Sequence, residues 1–469
     1  MKRVKYIVFL VIVMATLMIP FVAMPFATPV TAGTEFVELA EPPSFWYDET
    51  WNYNFMYDVG TYFEDHFAFR PQVLTVNAIL RGALFNASGT RQVIYGRNGW
   101  LYFADTLNDF LGENLLNERE LYAVVHNLRL MQEYVNFHGG NFVVAIIPNK
   151  NSLYPENMPA NYWVGLENNW SNLRSLMIEH EISFVDFFEL LGAVEERTYF
   201  KRDSHWTNYG AMLGNQGLME FMERDFIDYT NVPYEIRRNH VGDLDEMLFP
   251  LAYILEDNIY FLDIMTYQHV TEVVDYMDNW IQTFNPNGTG SILMYRDSFG
   301  EYILPFTANE FEHAYFSRYV PYNLSEVEHL RPEQVVIQRV ERNIFMFANQ
   351  TPIMEPLQVE PFPENTWHPY AVDTVSTIHL LGHGAWLELR GLIDESYIES
   401  ESDIFVSLQG EQTGHRAFPV FYRMTVDGVG NAYNVFLRGD LLPAEEIIIN
   451  VLVRNQDEIF QVAQYVLQR

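Results

Sequence analysis

Between residues 58 and 340 the apolar positions alternate between two rhythms, a helical spacing of three to four residues and unbroken strand-like runs. The stretch FEDHFAFRPQVLTVNAILRGALF predicts helix across 58–85, broken or restarted at Pro71. QVIYGRNGWLYF predicts two short strands joined at Arg97-Asn98-Gly99, where Asn-Gly supplies the positive φ of a tight hairpin turn. Helices predicted at 118–137 and 168–181 accompany the strands NFVVAIIP (141–148) and ISFVDF (182–187). SILMY (291–295), HAYFSRYV (313–320) and QVVIQRV (334–340) repeat the strand pattern, with helical segments between. Strands that are apolar throughout and alternate with helices predict an α/β fold, a parallel sheet sandwiched by helices, with sites at the carboxyl ends of its strands.

Three segments depart from this rhythm. Residues 233–290 read as an insertion over one end of the sheet. Four prolines between Pro352 and Pro363 make 351–370 a linker. Beyond it, GAWLELRGLI, DIFVSLQG, VFYRMTV, YNVFLRG and EIIINVLVR alternate as strands of a C-terminal β-sandwich over 371–469, which is expected to fold by itself and to contribute binding. At the other end, Lys2, Arg3 and Lys5 precede the run YIVFLVIVMATLMIPFVAMPFA and then VTAG, so residues 1–32 read as a signal peptide or an uncleaved signal anchor. The catalytic region is then 33–350, and an extracytoplasmic location is expected, secreted or anchored at the cell surface.

Composition narrows the function. A net charge of −34 disfavours nucleic acid and anionic polymers and favours neutral or weakly charged substrates. No cysteine is present, so disulfides, thiolate metal sites and a cysteine nucleophile are excluded. The histidines lack H-x-x-H or H-E-x-x-H spacing, and neither a metal nor another cofactor is expected. Lys150 and Lys201 are the only lysines after residue 32.

Candidate chemistry lies in two stretches. In KRDSHWTNYGA, Asp203 and His205 stand two apart before a helix whose N-cap is Thr207; in an extended segment both leave one face, giving an oriented general base or half a metal site. The bland alternative is a polar helix entry. In SILMYRDSFGEYILPF a strand ends at Tyr295 and Ser298 follows on the turn into a helix, where a hydroxyl is exposed beside backbone N–H groups; the alternative is a simple cap by Asp297 or Ser298. A serine needs a base, itself oriented by a third group, and Asp203-x-His205 supplies both. The positive end of the helix at Thr207 is expected to disfavour the imidazolium. Lys150 and Arg296 could hold an anionic group of a substrate, or pair with acids; Trp206 could stack on a sugar, or belong to the core.

Together with YFEDHFAFR, GRNGWLYF, IIPNKNSLYPE, VGDLDEML and VVIQRVER, these stretches resemble the DHHW and AlgX/AlgJ-like group of SGNH-hydrolase-related proteins over roughly residues 57–345. The resemblance implies an SGNH-like fold with rearranged motif order, export, and O-acetyl transfer to a cell-envelope or secreted polysaccharide, with a membrane-bound acyltransferase as acetyl donor. It also implies Ser298 as nucleophile, His205 as base and Asp203 as its orienter. Relatives often carry Gly-Asp-Ser where this chain has Arg296-Asp297-Ser298, which leaves the Ser298 N–H as the safest oxyanion donor. A carbohydrate O-acetylesterase is the alternative within this chemistry, and a glycan-binding or assembly protein with an idle triad is the alternative outside it.

Overall fold

Seven strands build the central sheet: β1 (Asn141–Ile147), β2 (Phe184–Val185), β3 (Gln268–His269), β4 (Trp280–Phe284), β5 (Ser291–Tyr295), β6 (His313–Ser317) and β7 (Gln334–Val340). Their spatial order is β2-β1-β7-β5-β6-β4-β3 in the computed structural model, which describes residues 2–26, 39–47, 50–85, 87–262, 264–273, 275, 277–369, 376–423 and 431–468. The strands from β2 through β6 in that order run parallel. β4 and β3 extend the edge antiparallel, so the sheet is mixed rather than wholly parallel. The antiparallel strand β4 carries the half-buried alternation of such an edge, with Ile281 and Thr283 turned inward, and lies within the stretch that the apolar runs had marked as an insertion.

Helices α1 (Lys2–Ala23), α2 (Phe55–His66) and α3 (Arg70–Phe85) precede the sheet, and α4 (Glu118–Phe137), α5 (Asn208–Phe221) and α6 (Gly300–Glu310) pack against it. α4 has the bounds that its pattern predicts, opened by a reciprocal capping box between Asn117 and Glu120. Alternate strand residues face opposite layers: Val144, Ile146, Leu293 and Ile337 pack with α4, and Val143, Ala145, Met294 and Val336 with α5 and α6. All seven residues of β7 are buried. The rest of the insertion is a hairpin, Tyr234–His240 with Glu256–Phe261, enclosing a short helix Asp243–Leu248.

The C-terminal region stacks a five-stranded sheet, ending in Glu446–Asn455 and Glu458–Gln468, on a four-stranded one. The proline-rich segment before it is pinned rather than free: the Val359 N–H donates to the Ala417 carbonyl at 2.9 Å, and Trp367–Pro369 pairs with Glu458–Gln468. The boundary expected at 371, like the VTAG sequence, lies outside the described residues. Apart from a small cluster of Phe405, Leu452 and Ile459, the sandwich shares its core with the rest of the chain among the described residues. Its apolar cluster is continuous with that of α4, and Asn127 of α4 both donates to the Tyr422 carbonyl at 2.9 Å and accepts from the Tyr422 N–H at 2.9 Å. His126 Nε2 meets the Val420 carbonyl at 2.9 Å, and burial pushes this imidazole down to about 3, so it is neutral. Independent folding of the tail is therefore not what the packing supports.

Candidate active site

Two turns at the carboxyl end of the sheet meet. The first runs from Tyr199 to Trp206, which form an isolated bridge, and leads into α5, whose N-cap Thr207 accepts from the Gly210 N–H at 3.1 Å. Asp203 and His205 are not on an extended strand. One carboxylate oxygen of Asp203 accepts both the His205 backbone N–H and ring Nδ1, each at 2.8 Å, so a side-chain turn brings the pair together. The buried Lys150 fastens this turn: its Nζ donates to the carbonyls of Phe200 at 3.2 Å, Lys201 at 3.1 Å and Asp203 at 2.5 Å.

The second turn follows β5. Asp297 points back into the sheet, where its carboxylate accepts from the Val340 N–H at 2.7 Å, Gln338 Nε2 at 2.7 Å and the Phe299 N–H at 3.0 Å. These three bonds tie the turn to β7 and cap the start of α6. Ser298, the next residue, is left facing out, with Oγ 2.8 Å from His205 Nε2. Asp203, His205 and Ser298 thus form one hydrogen-bonded line.

The surroundings of His205 are more anionic than the sequence suggested. The second oxygen of Asp203 accepts from His240 Nε2 at 2.9 Å and from the Asp243 N–H at 3.2 Å. Asp243 itself reaches within 3.5 Å of His205 Nδ1 and accepts from the Ser204 N–H at 2.7 Å. This close approach requires Gly242, because a Cβ there would lie 2.2 Å from the Arg202 carbonyl. Burial pulls the imidazole down, but the charge and hydrogen bond of Asp203, with the charge of Asp243, outweigh it and raise His205 to about 9. The expected effect of the α5 dipole is overridden by these nearer charges. Burial raises the Asp203 carboxyl, yet the His205 charge and both histidine hydrogen bonds hold it well below the usual range. Asp243 is pushed up to about 6 by burial and by Asp203.

A cleft of about 310 Å³ opens over Ser298 and His205. Its walls carry His240, Asp243, Glu301, Tyr302 and Arg342. Arg342 lies just past the end of β7, and its guanidinium is 5.9 Å from the ring centre of Phe299, the neighbour of Ser298. Donor atoms of Asp203, His205 and Asp243 come within 4.8 Å of one another, a spacing compatible with a cation, but those of Asp203 and His205 are already engaged in the line to Ser298.

Three sequence candidates for substrate contact are placed elsewhere. Trp206 is fully buried, with Nε1 donating to the Phe299 carbonyl at 3.1 Å, so it braces α5 against α6 and offers no face to a sugar. Lys150 is 4% exposed and spends its donors on the turn that carries Asp203 and His205; burial lowers it to about 8. Arg296 is 1% exposed beneath the second turn and donates to the Asp278 carbonyl at 3.4 Å. Conversely, His240, Asp243 and Arg342 were not singled out. The first two lie on an insertion whose fold the periodicity did not predict, and Arg342 follows a strand whose pattern gives it no place in a cleft.

Residues 93–268 match the family model for the SGNH hydrolase-like domain of the acetyltransferase AlgX. The chain is 28% identical over 164 residues to a probable alginate O-acetylase AlgJ of Pseudomonas syringae pv. tomato, covering 34% of this chain and 40% of the relative. It is also 28% identical over 218 residues to that of Pseudomonas fluorescens, covering 42% and 51%. The matches thus span about half the length of these relatives. A solved DHHW family protein from Eubacterium siraeum aligns at 16% identity with a TM-score of 0.41, over 54% of this chain and 95% of that one. Over part of its length the chain is thus similar to AlgX and AlgJ.

Proposed function

We propose that this chain is an exported, serine-dependent acyl-transfer enzyme that moves acetyl groups onto a polysaccharide through an acetyl-Ser298 intermediate. The observation that carries the reading is the line from Asp203 through His205 to Ser298 Oγ, with 2.8 Å at each step. In the neutral ring, Nδ1–H donates to Asp203 and Nε2 accepts the serine hydroxyl. Ser298 Oγ attacks the acetyl carbonyl, its proton passes to Nε2, and the imidazolium then protonates the departing oxygen of the donor. The second half reverses these roles: a sugar hydroxyl gives its proton to His205 and takes the acetyl group, freeing Ser298. Arg342 and the Ser298 N–H are the groups that would stabilise the oxyanion of each tetrahedral intermediate.

The acidic wall of the cleft, with Asp243 and Glu301 facing one arginine, supports a neutral or weakly charged glycan as acceptor. We take residues 33–350 as the catalytic unit, residues 1–32 as its signal or anchor, and the C-terminal sandwich as accessory. A membrane-bound acyltransferase is the donor that the AlgJ-like character suggests.

Intact-mass measurement after incubation with an aryl acetate tests the reading. The wild-type protein is expected to gain one acetyl group, mapped by peptide sequencing to Ser298, and Ser298→Ala to gain none. A folded Ser298→Ala protein that retains full acetyl-ester turnover would refute it. Transfer of the label to glycan, measured against release into water, separates transferase from esterase.

A further inference from the structure

α3 is amphipathic the wrong way round for a helix on a soluble surface. Its buried residues are Pro71, Thr75 and Ala78. The bulkier Val73, Val76, Ile79, Leu80, Leu84 and Phe85 are between 48% and 74% exposed and follow helical spacing along the outer face. α2 buries no residue at all, and the segment leading into it exposes Trp46, Trp51 and Tyr53. An apolar face this size on one short stretch requires a partner phase.

The position of α1 indicates which one. Its 22 residues carry a window with a mean hydropathy of 2.8, only 6% of that window is buried, and at about 1.5 Å per residue it matches the ~30 Å hydrocarbon layer. Lys2, Arg3 and Lys5 belong on the inner side by the positive-inside rule, which makes the end at Ala23 the outer one. At that outer end, Phe21 meets Phe63 of α2 at 6.2 Å between ring centres. α2 therefore stands at the level of the outer headgroups. Tryptophan and tyrosine collect at that level in membrane proteins. Across residues 39–85 the only lysine or arginine residues are Arg70 and Arg81, so attraction to anionic headgroups is not what would hold the segment there.

We propose that α2, α3 and the aromatic segment before them form a foot that seats in the outer interface of a zwitterionic phospholipid bilayer, beside α1. The inner face of α3 then acquires a purpose. Ala78 packs in one apolar cluster with Leu244 and Leu248, and the Leu251 N–H donates to Thr75 at 3.2 Å. That packing joins α3 to the short helix that begins at Asp243 in the cleft. Packing and composition place the foot there whether or not the site carries out acyl transfer.

The absence of cysteine makes the test direct. Single variants Val76→Cys, Leu80→Cys and Leu84→Cys of the full chain, with Gln456→Cys in the terminal hairpin as control, are labelled with an environment-sensitive fluorophore and reconstituted in phosphatidylcholine vesicles. The three foot labels are expected to shift to the blue, to lose most of their quenching by aqueous iodide, and to gain quenching by brominated lipid, with no change on raising salt; the control label stays open to iodide. Because all three positions are exposed, a folding defect at one leaves two to read the same face. Foot labels that remain open to iodide in vesicles holding no other protein overturn the proposal, including the case in which an added integral membrane protein later covers them.

Discussion

On the proposed acyl-transfer mechanism, replacing Asp243 by Asn should raise turnover at neutral pH. Asp243 lies 3.5 Å from His205 Nδ1 and helps to hold the imidazole at about 9, so at pH 7 most molecules carry a protonated base that cannot accept the Ser298 proton. Two unit charges about 4 Å apart interact by about 1 kcal/mol in water and about 4 kcal/mol at the effective dielectric of a protein surface. The side chains of Asp243 and His205 are each only 15% open, so the interaction exceeds its value in water, and roughly one pH unit at about 1.4 kcal/mol per unit is the smallest effect expected. The sign is fixed: removing an acid beside a base lowers the pKa of that base. The acid limb of kcat/KM for an aryl acetate should move from about 9 towards about 8. The neutral fraction at pH 7 then rises about tenfold, of which a weaker base gives back about threefold. The assay is a pH–rate profile of Asp243→Asn against wild type between pH 5.5 and 10 (a range set to bracket about 6 and about 9). A limb that stays in place or moves up would refute the argument that Asp243 tunes the base.

Other outcomes come from the same geometry. Ser298→Ala and His205→Ala should each abolish turnover, and the double variant should cost little more than either, because the groups act as a unit; additive losses in ester hydrolysis would contradict this. Asp203→Asn should keep the fold but lower kcat by up to about ten-thousandfold, since an amide can select the wrong imidazole tautomer. Lys150→Met should strand the carbonyls of Phe200 and Asp203, while that of Lys201 keeps the Leu101 N–H, and lower stability by about 2–4 kcal/mol in denaturant titration, with activity falling alongside. Glu341, raised to about 7 by burial, contributes stability that is fully present below about 4.5 and is lost as pH rises to about 7; Glu341→Gln should flatten that loss of Tm.

The chain announced the strands that are buried on both faces and the helices with clean periods, and it therefore announced where Ser298 sits, since a turn after a buried parallel strand has a fixed place in such a sheet. Asp203 and His205 were legible as a pair. The turn that joins them was not, because the same spacing also fits an extended strand and only the backbone conformation decides between them. Trp206 misled for a different reason: an indole beside a catalytic loop reads alike whether it faces a cleft or the core, and here the close packing of α5 on α6 buries it. Asp243 and Arg342 escaped because their roles depend on contacts between segments far apart in sequence, the first held by Gly242 against the turn and the second carried just past the end of β7.

The Asn127–Tyr422 and His126–Val420 contacts also set a schedule for assembly. The latter joins residues 294 apart in sequence, so one face of α4 cannot be covered until Val420 is available. Contacts so distant slow folding and prolong the exposure of apolar surface. That face of α4 therefore stays unfinished until the strand Phe421–Arg423 reaches it, and this strand acts less as an appendage than as the piece that closes the α4 layer.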